Sequence, residues 1–199
     1  YSQYFPNADL PIAPERNGFF TQTLNVLFGL KPKLNIGLSA RYRLTTQHFG
    51  ASSAFDTFGN SSIRSRSGIT AIGPQIRFAP IDNWRNFSIQ STFSIPVGTN
   101  LEGEDGGLYI DWSNPSWQTQ FFNDFTLSPH FSLFTEIDFF IEDIGSLNRF
   151  STPATAIFSY FPVANITVYA LGSYSPYWQE NYDYFYQFGL GTKFQFSPR

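Results

Sequence analysis

The sequence predicts an all-β chain: an antiparallel up-and-down transmembrane β-barrel of about ten strands, with a polar and largely filled interior. Three observations predict it. Apolar and polar residues alternate along runs longer than ordinary soluble strands. The connections between runs alternate short and long. The apolar face of every run is free of charge. The clearest run is Leu34–Leu44, "LNIGLSARYRL", with Leu34, Ile36, Leu38, Ala40, Tyr42 and Leu44 on one side and Asn35, Gly37, Ser39, Arg41 and Arg43 on the other. Period two means one extended strand with two unlike faces. In a soluble sandwich the apolar face is the core and the arginines meet water. In a membrane barrel the apolar face meets lipid and the arginines point inward.

Taken in order, strand-like runs fall at 19–30, 34–45, 68–80, 86–98, 116–127, 131–142, 150–161, 165–175 and 182–196. Most exceed the roughly 5–6 residues typical of soluble strands and reach the roughly 9–11 that a tilted membrane strand needs. The short connections are 31–33, 81–85, 128–130 and 162–165; the long ones are 46–67, 99–115, 143–149 and 176–181. Outer-membrane barrels sort their loops this way, with tight periplasmic turns and longer outer loops. Nine runs are odd in number and bacterial barrels are usually even. The parity is met if residues 1–5, "YSQYF", supply a short first strand, with eight to twelve strands as the bounds. Residues 1–18 then form that strand and its loop, 46–67 and 99–115 form long outer loops, and 1–199 form one barrel domain. Both termini lie on the periplasmic side.

Composition agrees without deciding. Charged residues make up 14% and aromatics 20% of 199 residues, with 24 Phe and 11 Tyr. Mean hydropathy is only −0.20, as expected where half of each strand is polar. No apolar run approaches the roughly 18 residues of a membrane helix. An aromatic-rich soluble β-sandwich has the same composition and is the competing reading. There is no cysteine, so no disulfide framework and no thiolate metal site. A net charge of −3 gives no bulk preference for nucleic acid. The chain begins at Tyr1 with no apolar leader, which reads as a processed or incomplete chain.

The faces carry the argument. Phe87, Ile89, Phe93, Ile95 and Val97 share one side of 86–98; Phe131, Leu133, Ile137, Phe139 and Ile141 share one side of 131–142; Tyr184, Tyr186, Phe188, Leu190, Phe194 and Phe196 share one side of 182–196. In this register no Asp, Glu, Lys or Arg falls on the apolar face of any run. A charge at a lipid-facing midplane costs about 2–4 kcal/mol. The opposite face carries Arg41, Arg43, Arg77, Asp124, Glu136, Asp138, Glu142, Asp183 and Lys193, expected to form a lumen charge network. Gln75, Gln90, Gln118, Gln120 and Gln187 share that face, as do Phe122, Phe134, Phe140, Tyr169 and Phe185, which argue for a filled lumen. Trp84, Trp112, Trp117, Tyr174, Tyr177, Trp178, Tyr182 and Tyr184 lie near strand ends, as interfacial girdles do. Four features fit badly. Asn123 and Gln22 fall on the lipid face, 150–161 has no clean register, and Pro74 needs a bulge.

No catalytic or metal site is expected. His130 occupies a turn. His48, near Ser52, Ser53 and Asp56, is the only place for a barrel-embedded hydrolase. The acidic stretch Leu101–Gly107 with Asp111 has the chemistry calcium favours but not the spacing of an EF-hand. Arg64 and Arg66 are candidate contacts for lipopolysaccharide phosphate.

The closing run Phe188–Phe196, "FGLGTKFQF", resembles the aromatic-ended final strand of bacterial outer-membrane β-barrels, although Ser197, Pro198 and Arg199 follow it. "GLSARYRL", "GPQIRFAP" and "GLGTKFQF" resemble small barrels of Bacteroidota. "YSQYF" resembles the start of PorP/SprF barrels linked to type IX secretion, a likeness of five residues in a chain shorter than that family. The resemblance implies a Gram-negative outer-membrane protein; with no recognisable active site in the sequence, it is expected not to be an enzyme, and no cofactor is implied. Its surroundings would be membrane lipid and lipopolysaccharide, and its partners other outer-membrane or secretion-complex proteins. The expected function is a structural or accessory subunit of an outer-membrane assembly. A narrow, porin-like channel for small solutes is the alternative.

Overall fold

A computed structural model of the chain describes residues 2–4, 16–48, 64–84, 86–104 and 106–196. The fold is all-β. Eleven strands run in chain order: β1 (Ser2–Tyr4), β2 (Arg16–Lys31), β3 (Leu34–His48), β4 (Arg64–Phe78), β5 (Phe87–Pro96), β6 (Ser116–Ser128), β7 (Phe131–Glu142), β8 (Arg149–Ser151), β9 (Ala154–Val163), β10 (Ile166–Trp178) and β11 (Tyr182–Phe194). They form one antiparallel, up-and-down sheet in sequence order. β8 and β9 each pair with β7 on one side and β10 on the other. They are two pieces of one strand, interrupted at Thr152 and Pro153, so eleven strands fill ten positions. Pro153 has no amide to give the ladder.

The interruption also explains why 150–161 lacked a register. Past the break the alternation is clean: Ala154, Ala156, Phe158 and Tyr160 are exposed, while Thr155, Ile157, Ser159 and Phe161 are half-buried. Apolar Ile157 and Phe161 on the less exposed face hid the period. Pro74 resolves similarly. Along β4 the buried positions are Thr70, Ala71, Gly73 and Gln75, so the alternation changes phase between Thr70 and Ala71. An inserted residue of this kind is what a bulge supplies, and it leaves Pro74 exposed. Among the described residues the connections 79–86, 97–115, 129–130, 143–148 and 164–165 alternate shorter and longer as expected, and 32–33 is a tight turn. The exception is 179–181, cut to three residues because β10 continues to Trp178.

Contacts divide the chain into two compact units. The first comprises Tyr1–Val26, Leu38–Gly73 and Ser94–Pro115; the second comprises Leu27–Gly37, Pro74–Phe93 and Ser116–Arg199. In both, burial runs opposite to that of a soluble core. Among the described residues four buried side chains are apolar (Ala71, Leu101, Leu108 and Ile110), against fourteen polar or charged ones. Leu38, Ile69, Ile95, Ile137 and Phe139 are exposed on the strands, and Phe188 and Leu190 are more than four-fifths exposed. Such a distribution cannot draw its stability from burying apolar side chains against one another.

In the second unit rings compensate on the exposed face. Trp84, Phe87, Phe121, Phe139, Phe150, Trp178 and Tyr182 form an unbroken series of ring contacts with centroids 5.0–6.5 Å apart. On the opposite face the Tyr169 ring lies over Gly191, where a Cβ would come within 2.3 Å of it. The pair Tyr169–Gly191 is a ladder pair, so only glycine leaves room for the ring.

Candidate functional site

Two buried polar constellations qualify, one in each unit. The first is built on the 97–115 segment, of which the sequence reading treated 99–115 as an outer loop. It folds back on itself. Gly103 N–H reaches Asn100 O, Gly106 N–H reaches Gly103 O, and Ile110 and Asp111 N–H both reach Leu101 O. Asn100 Oδ1 accepts Glu104 N–H and Glu102 Oε1 accepts Ser113 N–H. Gly103, at φ +80°, cannot be replaced without collision, because a Cβ would lie 2.4 Å from Gly107 O. This folding buries Leu101, Leu108 and Ile110, three of the four buried apolar side chains.

Four arginines from β3 and β4 grip that segment. Arg66 Nη1 donates to Asn100 O and, at 3.0 Å, to Leu108 O; its Nη2 donates to Thr99 O at 2.8 Å. Arg64 Nη2 donates to Gly106 O at 2.9 Å. Arg43 Nη1 meets Asp111 Oδ1 at 2.9 Å and donates to Ile110 O at 3.3 Å. Arg41 Nε lies 3.6 Å from Asp111 Oδ2, an ion pair without a hydrogen bond. Asp111 is 3% exposed, and its Oδ1 also accepts Trp112 N–H. Two guanidiniums therefore face one buried carboxylate.

The second constellation, in the second unit, contains no arginine. Gln90 Nε2 donates to Gln120 Oε1 at 3.0 Å, and Gln120 Nε2 donates to Glu136 Oε1. Gln118 Nε2 donates to Asp138 Oδ2 at 2.8 Å, and Gln75 Nε2 donates to Thr92 Oγ1 at 3.0 Å. On the other side of β7, Thr155, the ladder partner of Glu136, donates to Ser173 Oγ at 2.9 Å. The result is a band of amides and hydroxyls over β4 to β7, continued in β9 and β10, around two carboxylates.

The nine charged residues picked out in the sequence are divided between the two units, Arg41 and Arg43 in the first and the other seven in the second. Arg41 and Arg43 belong to the first constellation; Glu136 and Asp138 belong to the second. Arg77 donates to Ser88 Oγ and lies over the Phe122 ring at 5.2 Å, and Phe122 stacks on Phe134. Glu142 and Asp183 are linked through Tyr177 and through Arg149, which the sequence reading missed. Arg149 Nε lies 3.9 Å from Glu142, the Arg149 guanidinium sits 4.2 Å over the Tyr177 ring, and Tyr177 O–H donates to Asp183 Oδ2 at 2.5 Å. Asp124 and Lys193 are exposed. Arg149 carried no period signal, because it lies at the edge of a loop. Arg64 and Arg66 were singled out for phosphate, but the structure binds both to backbone carbonyls.

Two further residues stand apart. The Asn123–Thr135 ladder pair puts Asn123 on the face of Ile137 and Phe139, as the sequence placed it. Its side chain is nevertheless 6% exposed, with no partner for Oδ1 or Nδ2. Gln22, on the same predicted face, is exposed. His130 Nδ1 lies 3.0 Å from Phe161 O. The His48 side chain and all of Ser52, Ser53 and Asp56 lie outside the described residues. Among the described residues no three His, Cys, Asp or Glu side chains gather. No family model matches this chain, and no curated protein or solved structure matches it.

Proposed function

We propose that this chain is an integral outer-membrane β-barrel with a polar, side-chain-filled interior, serving as a structural or accessory subunit of an outer-membrane assembly. The observation that carries the reading is the inverted burial. Polar side chains are buried fourteen to four over apolar ones among the described residues, while Leu, Ile and Phe stand exposed along strands of 10–16 residues. A soluble protein would leave that apolar face in water; a bilayer covers it. Backbone groups in hydrocarbon must all be paired, so the sheet closes, with β1 meeting β11. An even number of strand positions brings both termini to one side, the periplasmic one. Membrane lipid and lipopolysaccharide then surround the barrel.

Three measurements test the reading. The chain should fractionate with outer membranes and migrate faster on a gel when unboiled than when boiled. Cysteines placed at Gln3 and along β11 should form a disulfide in the intact protein. Copurification at fixed stoichiometry with another outer-membrane protein should follow native extraction. Identical migration before and after boiling would sink the barrel, and a lone monodisperse monomer would sink the accessory role.

The second reading is a narrow conduit for small solutes, and one observation favours it. Apart from the Val97 N–H to Thr70 O bond at its start, the 97–115 segment is gripped by arginine side chains, contacts that a ligand or a voltage could release, as a gate requires. Planar-bilayer recordings decide: this reading predicts a small conductance that rises in Asp111→Ala. No conductance in either protein removes it.

A further inference from the structure

Five carboxylates stand on the described strands. Four have a side-chain partner: Glu136 with Gln120, Asp138 with Gln118, Glu142 with Arg149 and Asp183 with Tyr177. The fifth is Asp124 on β6. Only its backbone is tied, with its N–H donating to Asn86 O at 3.3 Å and its C=O accepting from Asn86 Nδ2 at 2.8 Å. Its carboxylate is exposed and makes no ion pair or hydrogen bond among the described residues. Asp124 lines a cavity of about 560 Å³ together with Thr126, His130, Ser132, Phe161 and Val163. The cavity lies beside the 129–130 and 164–165 turns.

The ladder places three of these residues together. Thr126 is directly opposite Ser132, and Asp124 is opposite Phe134. Asp124, Thr126 and Ser132 therefore share the polar face of Gln118 and Gln120. Opposed side chains on one face stand about 4.5–5.5 Å apart at Cβ. Neither the Thr126 nor the Ser132 hydroxyl has a hydrogen-bond partner among the described residues. The wall beyond them is tied in place. His130 Nδ1 meets Phe161 O at 3.0 Å, Phe161 N–H donates to His130 O at 2.8 Å, and His130 N–H donates to Ser128 Oγ at 3.2 Å. No Lys or Arg lines the cavity.

A cavity of this size suits a small organic molecule, oriented by a few polar groups. A primary ammonium has three N–H donors and no acceptor. Asp124, Thr126 and Ser132 offer three acceptors and one negative charge, while Phe161 and Val163 offer apolar surface toward the turns. We propose that this cavity binds a free solute bearing a primary ammonium on a short apolar stem. The ammonium belongs to Asp124, Thr126 and Ser132, and the stem to Phe161 and Val163. A lipid headgroup is the wrong source, because these side chains lie on the face opposite Ile137 and Phe139. The site goes beyond the function proposed above and does not depend on closure of the sheet, since every residue named lies in the second unit.

The test is calorimetric titration of the full chain in detergent at neutral pH with phenethylamine, which is protonated there. The wild type should bind one molecule per chain with a Kd of about 1 mM. Phenylethanol has the same shape without the charge and should bind about tenfold more weakly or not at all. The trimethylated ammonium keeps the charge but has no N–H donor, and should also bind about tenfold more weakly. Asp124→Asn keeps the shape and should cost about tenfold in phenethylamine binding. Thr126→Val with Ser132→Ala should remove the preference for the primary over the trimethylated probe. Asp82→Asn, at an exposed carboxylate outside the cavity, should bind as the wild type does. Each variant should melt as the wild type does without probe, and the comparison of the three probes on the wild type stands whatever the variants do. A wild type that binds no phenethylamine, or binds phenylethanol or the trimethylated probe as tightly, overturns the proposal. Binding that survives Asp124→Asn, or vanishes in Asp82→Asn, overturns it as well.

Discussion

Asp111 and Asp138 are both buried aspartates, 3% and 7% exposed, and they are held by opposite means. Asp111 sits between two guanidiniums and anchors an irregular segment. Asp138 sits on a regular strand beside a second carboxylate and receives one amide donor. The first site supplies its own countercharge; the second supplies only dipoles. An acid that arrives on a loop must be drawn in by charge, because nothing in the ladder positions it. An acid on a strand is positioned by the ladder whether or not its charge is balanced.

The strongest way to break this comparison is to remove Asp111. Asp111→Ala takes the buried carboxylate away from Arg41 and Arg43, and breaking a buried pair on one side costs about 3–5 kcal/mol. The melting temperature in detergent should fall, and protease should cut within 97–115, where the wild type resists. The triple change Arg41→Met, Arg43→Met and Asp111→Leu removes charge and countercharge together and should recover most of the loss. Equal destabilisation by the single and triple changes would mean that the pair is not what holds the segment.

On the other side of the comparison, Gln120→Leu withdraws the donor from Glu136 and the acceptor from Gln90. An unsatisfied buried polar group costs about 1–3 kcal/mol, so urea unfolding should shift by that order while the 97–115 segment stays protease-resistant. Loss of that resistance would show that the amide band and the arginine grip are one cooperative system rather than two.

These two sites also show how far the sequence could be read. Nine of the ten strand positions, and most of their faces, were legible because period-two alternation is a local signal; the first rested on parity, and 150–161 showed no face because of the break at Thr152 and Pro153. Gln75, Gln90, Gln118 and Gln120 were placed on the polar face for the same reason. The partners on that face were not legible, since alternation fixes a side and not a register. The Arg43–Asp111 pair is the extreme case. Its members are joined across the 67 residues separating Arg43 from Ile110 and Asp111's neighbourhood, and Asp111 lies in a segment with no period at all. Composition marked 97–115 as an acidic loop, and nothing local to it reveals that β3 and β4 carry the arginines to hold it. Arg149 was missed for a related reason: its partners Glu142 and Tyr177 lie on two other strands.

Asn123 sharpens the comparison from a third direction. It is buried as deeply as Asp138, but on the apolar face, with neither a charge nor a donor to meet its amide. Nothing in the structure explains its presence there. Asn123→Leu replaces an unsatisfied amide by a side chain of similar size among Phe and Ile. Because the amide is unpaired, the change should stabilise the protein by about 1 kcal/mol, read as a rise in the urea midpoint. A fall would mean that the amide has a partner in the folded protein.

The smallest effect is expected where charge is neither balanced tightly nor left unbalanced. Glu142 and Arg149 stand 3.9 Å apart, with side chains 14% and 29% exposed. At that distance and with solvent near, an ion pair contributes about 0–1 kcal/mol. Arg149 moreover has a second attachment, the Tyr177 ring, which needs no carboxylate. Glu142→Gln should therefore leave the melting temperature nearly unchanged, and added salt should not separate variant from wild type. Arg149→Met should cost more than Glu142→Gln, because it also takes the cation from the Tyr177 face. If instead Glu142→Gln destabilised the protein as much as Asp111→Ala, countercharge would govern acids on strands as it governs acids on loops. The distinction between the two buried aspartates would then be one of neighbours, not of how each acid reaches its place.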